Sequence, residues 1–147
     1  MKTVARWLFI GLMPWTSALA EPSETIGHIQ TLQGDAYVQR AGVDQPAAVG
    51  TELRQNDRIR TGKPAAVGIV LTDDTTISLG SNSELALNDY AFEPKQGRFA
   101  LVLRMVKGTV SYITGQIGKL APESARVQTP DATIAVRGTK LLVEIKE

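Results

Sequence analysis

Apolar side chains recur at every second position through most of this chain, and that period limits the folds open to it. Alternation with polar residues is typical of half-buried strands, whereas an amphipathic helix repeats every three or four residues. No stretch after residue 20 shows a helical period, so the sequence predicts an all-β domain. The alternating apolar residues are Val67, Ile69, Leu71, Ile77, Leu79, Leu85, Leu87, Phe99, Leu101, Leu103, Met105, Val110, Tyr112, Ile134, Val136, Leu141, Val143 and Ile145.

Turn-forming residues separate these apolar runs, which follow one another about every eight or nine residues. This spacing fits a β-solenoid-like stack of short strands, and it equally fits a β-sandwich or a meander. The spacing leaves both architectures open. Two longer stretches, Ala41–Val49 and Asn88–Arg98, contain proline and glycine and are predicted to be exposed loops.

The first twenty residues have the layout of a secretory signal peptide. Lys2 and Arg6 supply a positive start, and the apolar run that follows is too short to span a bilayer. Ala18 and Ala20 provide the small residues that a signal peptidase accepts, which predicts cleavage after Ala20. The predicted organisation is a cleavable signal helix at 1–20, a flexible N-terminus at 21–26 and a β domain at 27–147. Such a protein is exported to the periplasm, or secreted, without a transmembrane segment in its mature part.

Composition excludes several classes of site. The chain has 147 residues and no Cys, so it has no disulfide, no Cys-ligated zinc and no thiol nucleophile. With 16 basic and 15 acidic residues it lacks the basic excess of a nucleic-acid-binding protein. Its one histidine, His28, has no accompanying nucleophile motif. His28 is therefore predicted to be a half-exposed strand residue and not a catalytic base.

The acidic residues show no clear catalytic or metal-binding pattern. Glu52, Asp57, Glu84 and Asp89 would serve glycoside hydrolysis only if the fold brought two of them face to face. The adjacent aspartates at 73–74 would point to opposite faces of a strand, or lie together in water at a turn. We predict no catalytic residue, no cofactor and no metal. An enzyme that uses these carboxylates is kept as one functional hypothesis.

A cluster of basic residues lies in the segment 54–63. Arg54, Arg58, Arg60 and Lys63 are interleaved with residues such as Ile59. Charged side chains of this kind protect the free edge of a sheet from unwanted pairing. They are predicted to form the solvent face of an edge strand and not a ligand patch.

Four segments stand out as motifs: Gly50–Gly62 (GTELRQNDRIRTG), Leu71–Leu79 (LTDDTTISL), Val106–Val110 (VKGTV) and Val127–Thr139 (VQTPDATIAVRGT). Their order and content resemble the FecR domain, a family named for a periplasmic regulator of ferric citrate uptake. The R-G-T triplet that ends the last segment is the most specific element. The resemblance covers about residues 27–145. The family-motif residues are Gly50, Leu53, Asp57, Ile59, Thr61, Gly108, Thr129, Pro130, Arg137, Gly138 and Thr139.

Stereochemistry suggests structural roles for these residues. Gly50 and Gly62 bracket a turn–strand unit where a Cβ would not fit, and Asp57 is placed for an Asx-type turn before the next strand. Pro130 stiffens the entry to the last strands. Gly138 permits a sharp reversal between the apolar pairs that flank it, where Thr139 can satisfy a backbone group and Arg137 can pair with an acid or a carbonyl.

Two positions depart from the family pattern. Asn56 and Asp74 stand where the family usually has Gly. Both residue types tolerate left-handed turns, so we expect the fold to survive. The chain also lacks the cytoplasmic anti-sigma region and membrane helix of the best-known members, and it reaches Glu147 soon after the R-G-T triplet.

The resemblance implies a solenoid-like fold and a binding or signal-relay role without catalysis. In the best-known arrangement, the domain receives a signal from the signalling domain of an outer-membrane transporter. The predicted partner is accordingly an envelope protein: a sensor, a transporter or a membrane regulator. The last strand is expected to offer an open edge for strand addition by that partner. The alternative hypothesis is a cell-wall or glycan-binding module, although the aromatic content is low.

Overall fold

The computed structural model describes residues 24–136, 138 and 140–146, together with residue 11. Apart from residue 11, the predicted signal segment with Ala18 and Ala20 lies outside these described residues, as do Arg137 and Thr139. Ten strands and one short helix make up the described chain. They are β1 Thr25–Arg40, β2 Val43–Pro46, β3 Glu52–Arg54, β4 Arg58–Leu71, β5 Thr76–Leu79, β6 Glu84–Glu93, β7 Arg98–Ile113, α1 Gln116–Leu120, β8 Ala125–Gln128, β9 Thr133–Ala135 and β10 Lys140–Ile145.

All ten strands belong to one sheet, whose main order is β2-β1-β4-β5-β7-β8-β9. The long strand β4 pairs with β1 along one side, and with β6 and then β5 along the other. The long strand β7 pairs with β6 and β5 on one side, while β8 and β10 also pair with it. The long strands β4 and β7 therefore each pair with several of the shorter strands.

The sheet curls around a single apolar core. Inward residues alternate with exposed ones along each long strand, as in β4, where Ile59, Val67, Ile69 and Leu71 are buried. Buried side chains from β1, from β3 through β8 and from β10 belong to the same core cluster, and Ile134 of β9 packs against it. A sheet with one apolar face must cover that face with other elements or with itself, and here the sheet covers itself. The prediction of an all-β domain from the two-residue period is thus confirmed.

The strand pairing does not show a solenoid. Nine of the ten strand pairs are antiparallel, and only β7 with β8 is parallel. A solenoid stacks short rungs of like direction, whereas β1 and β7 are each 16 residues long. The period was visible in the sequence, but the pairing partners of each strand depend on contacts far apart in the chain.

Three local predictions are wrong. Most of Asn88–Arg98 is strand, because β6 continues to Glu93 and only the short 3-10 turn Pro94–Gln96 and Gly97 separate it from β7. Ala41–Val49 contains β2, which is exposed along its whole length. A five-residue helix, α1, interrupts the all-strand pattern. No helix in the described part of the chain is long and apolar enough to cross a membrane.

The basic cluster lies only in part on an edge strand. Arg54 ends β3, which pairs with β1 alone. Arg58 and Arg60 belong to β4, which has strand neighbours on both sides. Their guanidinium groups pair with Glu84 on the neighbouring strand β6 and with Asp44 on β2, which lies beyond β1. The prediction of an edge strand is therefore wrong for Arg58 and Arg60, which belong to a charge-paired outer face of the sheet.

Candidate functional site

The first family motif forms a buried corner between β3 and β4. Leu53 and Ile59 are fully buried in the core, and the carboxylate of Asp57 between them is only 1% exposed. Arg40 of β1 donates from Nε to Asp57 Oδ1 at 2.9 Å and from Nη2 to Oδ2 at 2.7 Å. The hydrogen bond to Asp57 raises the pKa of Arg40 above its ordinary value.

Asp57 also closes the turn, although not in the predicted direction. Its Oδ2 accepts from the backbone N–H of Arg54 at 2.8 Å, so the side chain ties back to β3 and not forward to β4. The intervening Asn56 has a left-handed φ of 69°, and Asp74 has a φ of 68° in the turn after β4. Both positions where the family usually has Gly thus adopt the left-handed conformation predicted for them.

Thr61 and Gly108 meet at a clasp that joins β4 to β7. Thr61 Oγ1 donates to the Gly80 carbonyl at 2.7 Å and accepts from the Ser83 N–H at 2.8 Å. The hydroxyl of Ser83 accepts from the Thr109 N–H at 3.0 Å, directly beside Gly108. A Cβ on Gly108 would lie 2.5 Å from Ser83 Cα, so this glycine is required for the approach of the two segments.

Gly50 is required for a different reason. Its φ is +90°, but an added Cβ would meet no atom within 4 Å. The prediction that a Cβ would not fit here is therefore wrong for Gly50, and the constraint comes from the backbone conformation. Gly62 lies inside β4, where a Cβ would come within 3.3 Å of the Asp35 carbonyl.

The second motif forms the connection from β8 to β10. Thr129 closes a turn with Ala132, because its Oγ1 accepts from the Ala132 N–H at 3.1 Å; Pro130 is exposed within that turn. Gly138 has a φ of +100°, and its carbonyl accepts from Thr114 Oγ1 at 2.6 Å. Gly138 does not close a hairpin, since β9 pairs with β8 and β10 pairs with β7.

Sequence reasoning missed a buried carboxylate, Asp73. Its side chain is fully buried and accepts from Thr75 Oγ1 at 2.7 Å, from Ile117 N–H at 3.0 Å and from the Tyr90 hydroxyl at 3.1 Å. The adjacent Asp74 is exposed. Asp73 thereby joins the β4–β5 turn, β6 and the first turn of α1. The only available signal was the pattern D-D-T-T, which reads equally well as a solvated turn.

Two buried tyrosines, Tyr90 and Tyr112, lie near the Asp73 carboxylate. Burial raises the pKa of Tyr90 above its ordinary value, although the hydroxyl also contacts Thr72 Oγ1 at 2.8 Å. Burial likewise raises the pKa of Tyr112, whose hydroxyl is buried without a hydrogen-bond partner. Both hydroxyl groups therefore stay protonated at neutral pH, and both tyrosines are part of the packed core.

Of the four acids considered above, two are held in ion pairs, and Glu52 and Asp89 are exposed. Glu84 pairs with Arg58 and Asp57 with Arg40, while Asp89 is exposed on β6. No group of three or more His, Asp or Glu residues in the described chain is placed to hold a metal ion. His28 lies on β1, as predicted, and is exposed where a half-exposed side chain was expected.

The most distinctive surface is the outer edge of β10. On one side β10 pairs with β7, from Lys140 opposite Ile113 to Ile145 opposite Gly108, and it has no second neighbour among the described strands. The other outer strands are less suited to pairing, because β3 and β9 have three residues each and β2 ends in Pro46. β10 has six residues and no proline.

β10 is held in place from the inside and exposed on the outside. Val143 is buried, and Leu141 and Ile145 pack against the core. Leu142 points outward and is 67% exposed. Its diagonal neighbour on β7, Ile113, is also exposed, so an apolar pair lies directly beside the free edge.

Comparison with known families gives a match over the C-terminal part of the chain. A family model described as FecR protein matches residues 57–147, from Asp57 of the first motif through the R-G-T triplet to β10. The chain belongs to the FecR family. The match covers more than half of the chain, and it includes both β7 and β10, the two strands that form the exposed edge. No curated protein and no solved structure matches the chain significantly.

Proposed function

We propose that this FecR-family protein is a non-catalytic binding module that relays or regulates a signal in the periplasm. Its partner is an envelope protein: a sensor, a transporter or a membrane regulator. Family membership supports the envelope signalling context. The motif residues that the structure describes hold the scaffold together, which agrees with a binding role for the surface.

The observation that carries the proposal is the free edge of β10. An extended segment of the partner adds to this edge as a further strand, so that main-chain hydrogen bonds supply affinity and side-chain contacts supply specificity. Because the inward residues Leu141, Val143 and Ile145 are packed, β10 is already ordered for pairing. Leu142 and Ile113 provide an apolar contact that the added segment covers.

Photocrosslinking in intact cells tests this edge. A photoreactive residue at position 142 is expected to capture one envelope protein, whereas the same residue at Val49 is not. Val49 is a matched control, since it is 66% exposed against 67% for Leu142 and lies before β3, outside the β7–β10 pair. Equal capture from both positions, or recovery of cell-wall glycan alone, would contradict the proposal.

Substitutions give a second readout of the same partner. Leu142→Asp places a charge in the apolar contact and is expected to weaken binding by about tenfold or more, while Val49→Asp leaves binding unchanged. Both side chains are exposed, so both variants should keep the wild-type melting temperature. Unchanged binding by Leu142→Asp would exclude β10 as the contact surface.

A further inference from the structure

A second surface feature is a cavity of about 370 Å³ beside the β6–β7 hairpin end, distinct from the β10 edge. It lies between the start of β1, the β3–β4 turn and the end of β6. Polar groups form most of its wall, and one half-buried aromatic ring forms an apolar part. The lining residues that matter below are Glu24, Asn56, Thr72, Phe92, Glu93 and Arg98.

The apolar wall is firmly supported. Phe92 packs against its cross-strand partner Phe99, with ring centroids 6.2 Å apart. The neighbouring Ala91 is buried, and the Tyr90 hydroxyl is already engaged by Thr72 and Asp73. Phe92 is therefore packed against its own sheet and forms part of the cavity wall.

Glu93 is the unsatisfied group of this cavity. Its Oε2 is buried without a hydrogen-bond partner, and the carboxylate forms no ion pair with a described residue. Arg98 is its partner in the strand register, yet the two side chains are not bridged. A buried carboxylate oxygen without a donor is costly, and the terminal torsion of a glutamate is soft enough to turn that oxygen toward an incoming donor.

The charges of the wall select the sign of the ligand. Glu24 and Glu93 contribute two carboxylates, against the single cation of Arg98. A cationic group gains a charge-assisted hydrogen bond at Glu93, whereas an anion would face two like charges. Phe92 adds a surface for the aliphatic stem of a long side chain or for a cation over its ring.

We propose that this cavity receives a lysine or arginine side chain of the protein partner, with its ammonium or guanidinium group donating to Glu93. The identity of the partner rests on the function proposed above, but the existence of the site does not. A partner bound along β10 would then be recognised at a second, separate place through one basic residue.

Titration of the isotope-labelled protein with side-chain analogues tests the site directly. Nα-acetyl-lysine methylamide and Nα-acetyl-arginine methylamide are the probes, and the uncharged Nα-acetyl-norleucine methylamide is the control. We expect at least one charged probe to cause saturable NMR shifts at the amides of Asn56, Thr72 and Phe92, and the norleucine probe to cause none. Absence of saturable shifts with both charged probes, or equal shifts with norleucine, would overturn the proposal.

A matched pair of variants assigns the effect to Glu93. Glu93→Gln should weaken binding of the charged probe by about tenfold or more, because the ionic acceptor is lost. Asp89→Asn removes the same charge from an exposed position on the same strand and should leave it unchanged. Equal affinity in Glu93→Gln and wild type would refute the role of this carboxylate.

Two further outcomes are distinguishable. Contacts from the residues before Glu24 into the cavity, seen as nuclear Overhauser effects, would show that the chain fills its own site and would overturn the proposal. Failure of the probe titration leaves capture from position 142 unaffected, so the cavity and the β10 edge are tested separately.

Discussion

Arg40 and Asp57 form a two-bond ion pair that is buried at one end and exposed at the other. The Asp57 side chain is 1% exposed, whereas that of Arg40 is 31% exposed. The pair joins β1 to the corner between β3 and β4, and Arg40 Nη2 also donates to the Glu52 carbonyl at 3.1 Å. Because the Asp57 side chain is more deeply buried than that of Arg40, replacing Arg40 and replacing Asp57 should change the free energy of unfolding by different amounts.

Arg40→Met is expected to lower the free energy of unfolding by about 3 kcal/mol, since it leaves the Asp57 carboxylate buried without a counter-charge. Asp57→Asn should cost less, about 1–2 kcal/mol, because the freed guanidinium can reach water. The double variant should cost clearly less than the sum of the two. Urea denaturation measures all three.

The matched control is Arg58→Met, which breaks the more exposed pair with Glu84, where the arginine is 43% exposed. Its cost should stay below about 1 kcal/mol. An equal loss in Arg40→Met and Arg58→Met would show that burial of Asp57 does not set the energy of the first pair.

Tyr90 and Tyr112 provide a second comparison, because only one of the two buried hydroxyls is hydrogen-bonded. Tyr90→Phe removes bonds to the Asp73 carboxylate and N–H, and should lower the free energy of unfolding by about 2 kcal/mol. Tyr112→Phe removes a buried hydroxyl without a partner, and should change stability by less than about 0.5 kcal/mol or increase it. Chemical denaturation would contradict this account if Tyr112→Phe cost as much as Tyr90→Phe.

The same tyrosines predict loss of stability at alkaline pH. Burial raises both pKa values above 10.0, so the folded protein holds these protons more tightly than the unfolded chain does. The stability that these two protonated hydroxyls contribute is fully present below about pH 10. It is lost as the pH rises from there toward the folded-state pKa values. The free energy of unfolding should therefore fall as the pH rises above about 10, and less steeply in the Tyr90→Phe/Tyr112→Phe variant than in wild type. An equal slope in both proteins would assign the alkaline loss to other groups.

Gly50 and Gly108 have nearly equal φ angles, +90° and +91°. Replacing each of them with alanine therefore separates the cost of the backbone conformation from the cost of a steric clash. Gly50→Ala meets open space and should cost only the left-handed conformation, about 1 kcal/mol. Gly108→Ala should cost about 3 kcal/mol, since its Cβ also collides with Ser83. Thermal and urea unfolding of the two variants measure the difference, and equal losses would mean that the β4–β7 clasp can open without cost.

How much of the site was predictable differs from residue to residue. Leu53 and Ile59 could be assigned to the core from their period, and Asn56 to a left-handed turn from its residue type. The ion pair of Asp57 could not, because Arg40 lies 17 positions earlier in the chain and belongs to another strand. Asp73 was unpredictable for a similar reason, because two of its donors, Tyr90 and Ile117, come from elements far along the chain.

Residues assigned to the edges of the sheet show the same division between what the sequence predicts and what depends on distant contacts. The sequence indicated that Leu141, Val143 and Ile145 face inward, and the structure agrees. The charges around Arg58 predict an edge strand, but Arg58 is paired with Glu84 across the neighbouring strands β4 and β6. Charge alone does not distinguish an edge from a paired outer face, since both are exposed to water.

The all-β class, the inward and outward faces of the strands, the left-handed turns and the family can be predicted from the sequence, because each depends on residue type and on neighbours within a few positions. The sequence does not predict which strands pair, which carboxylates are buried and which edge stays open. Those properties depend on contacts between residues far apart in the chain, and many pairings satisfy the same alternation of apolar and polar residues.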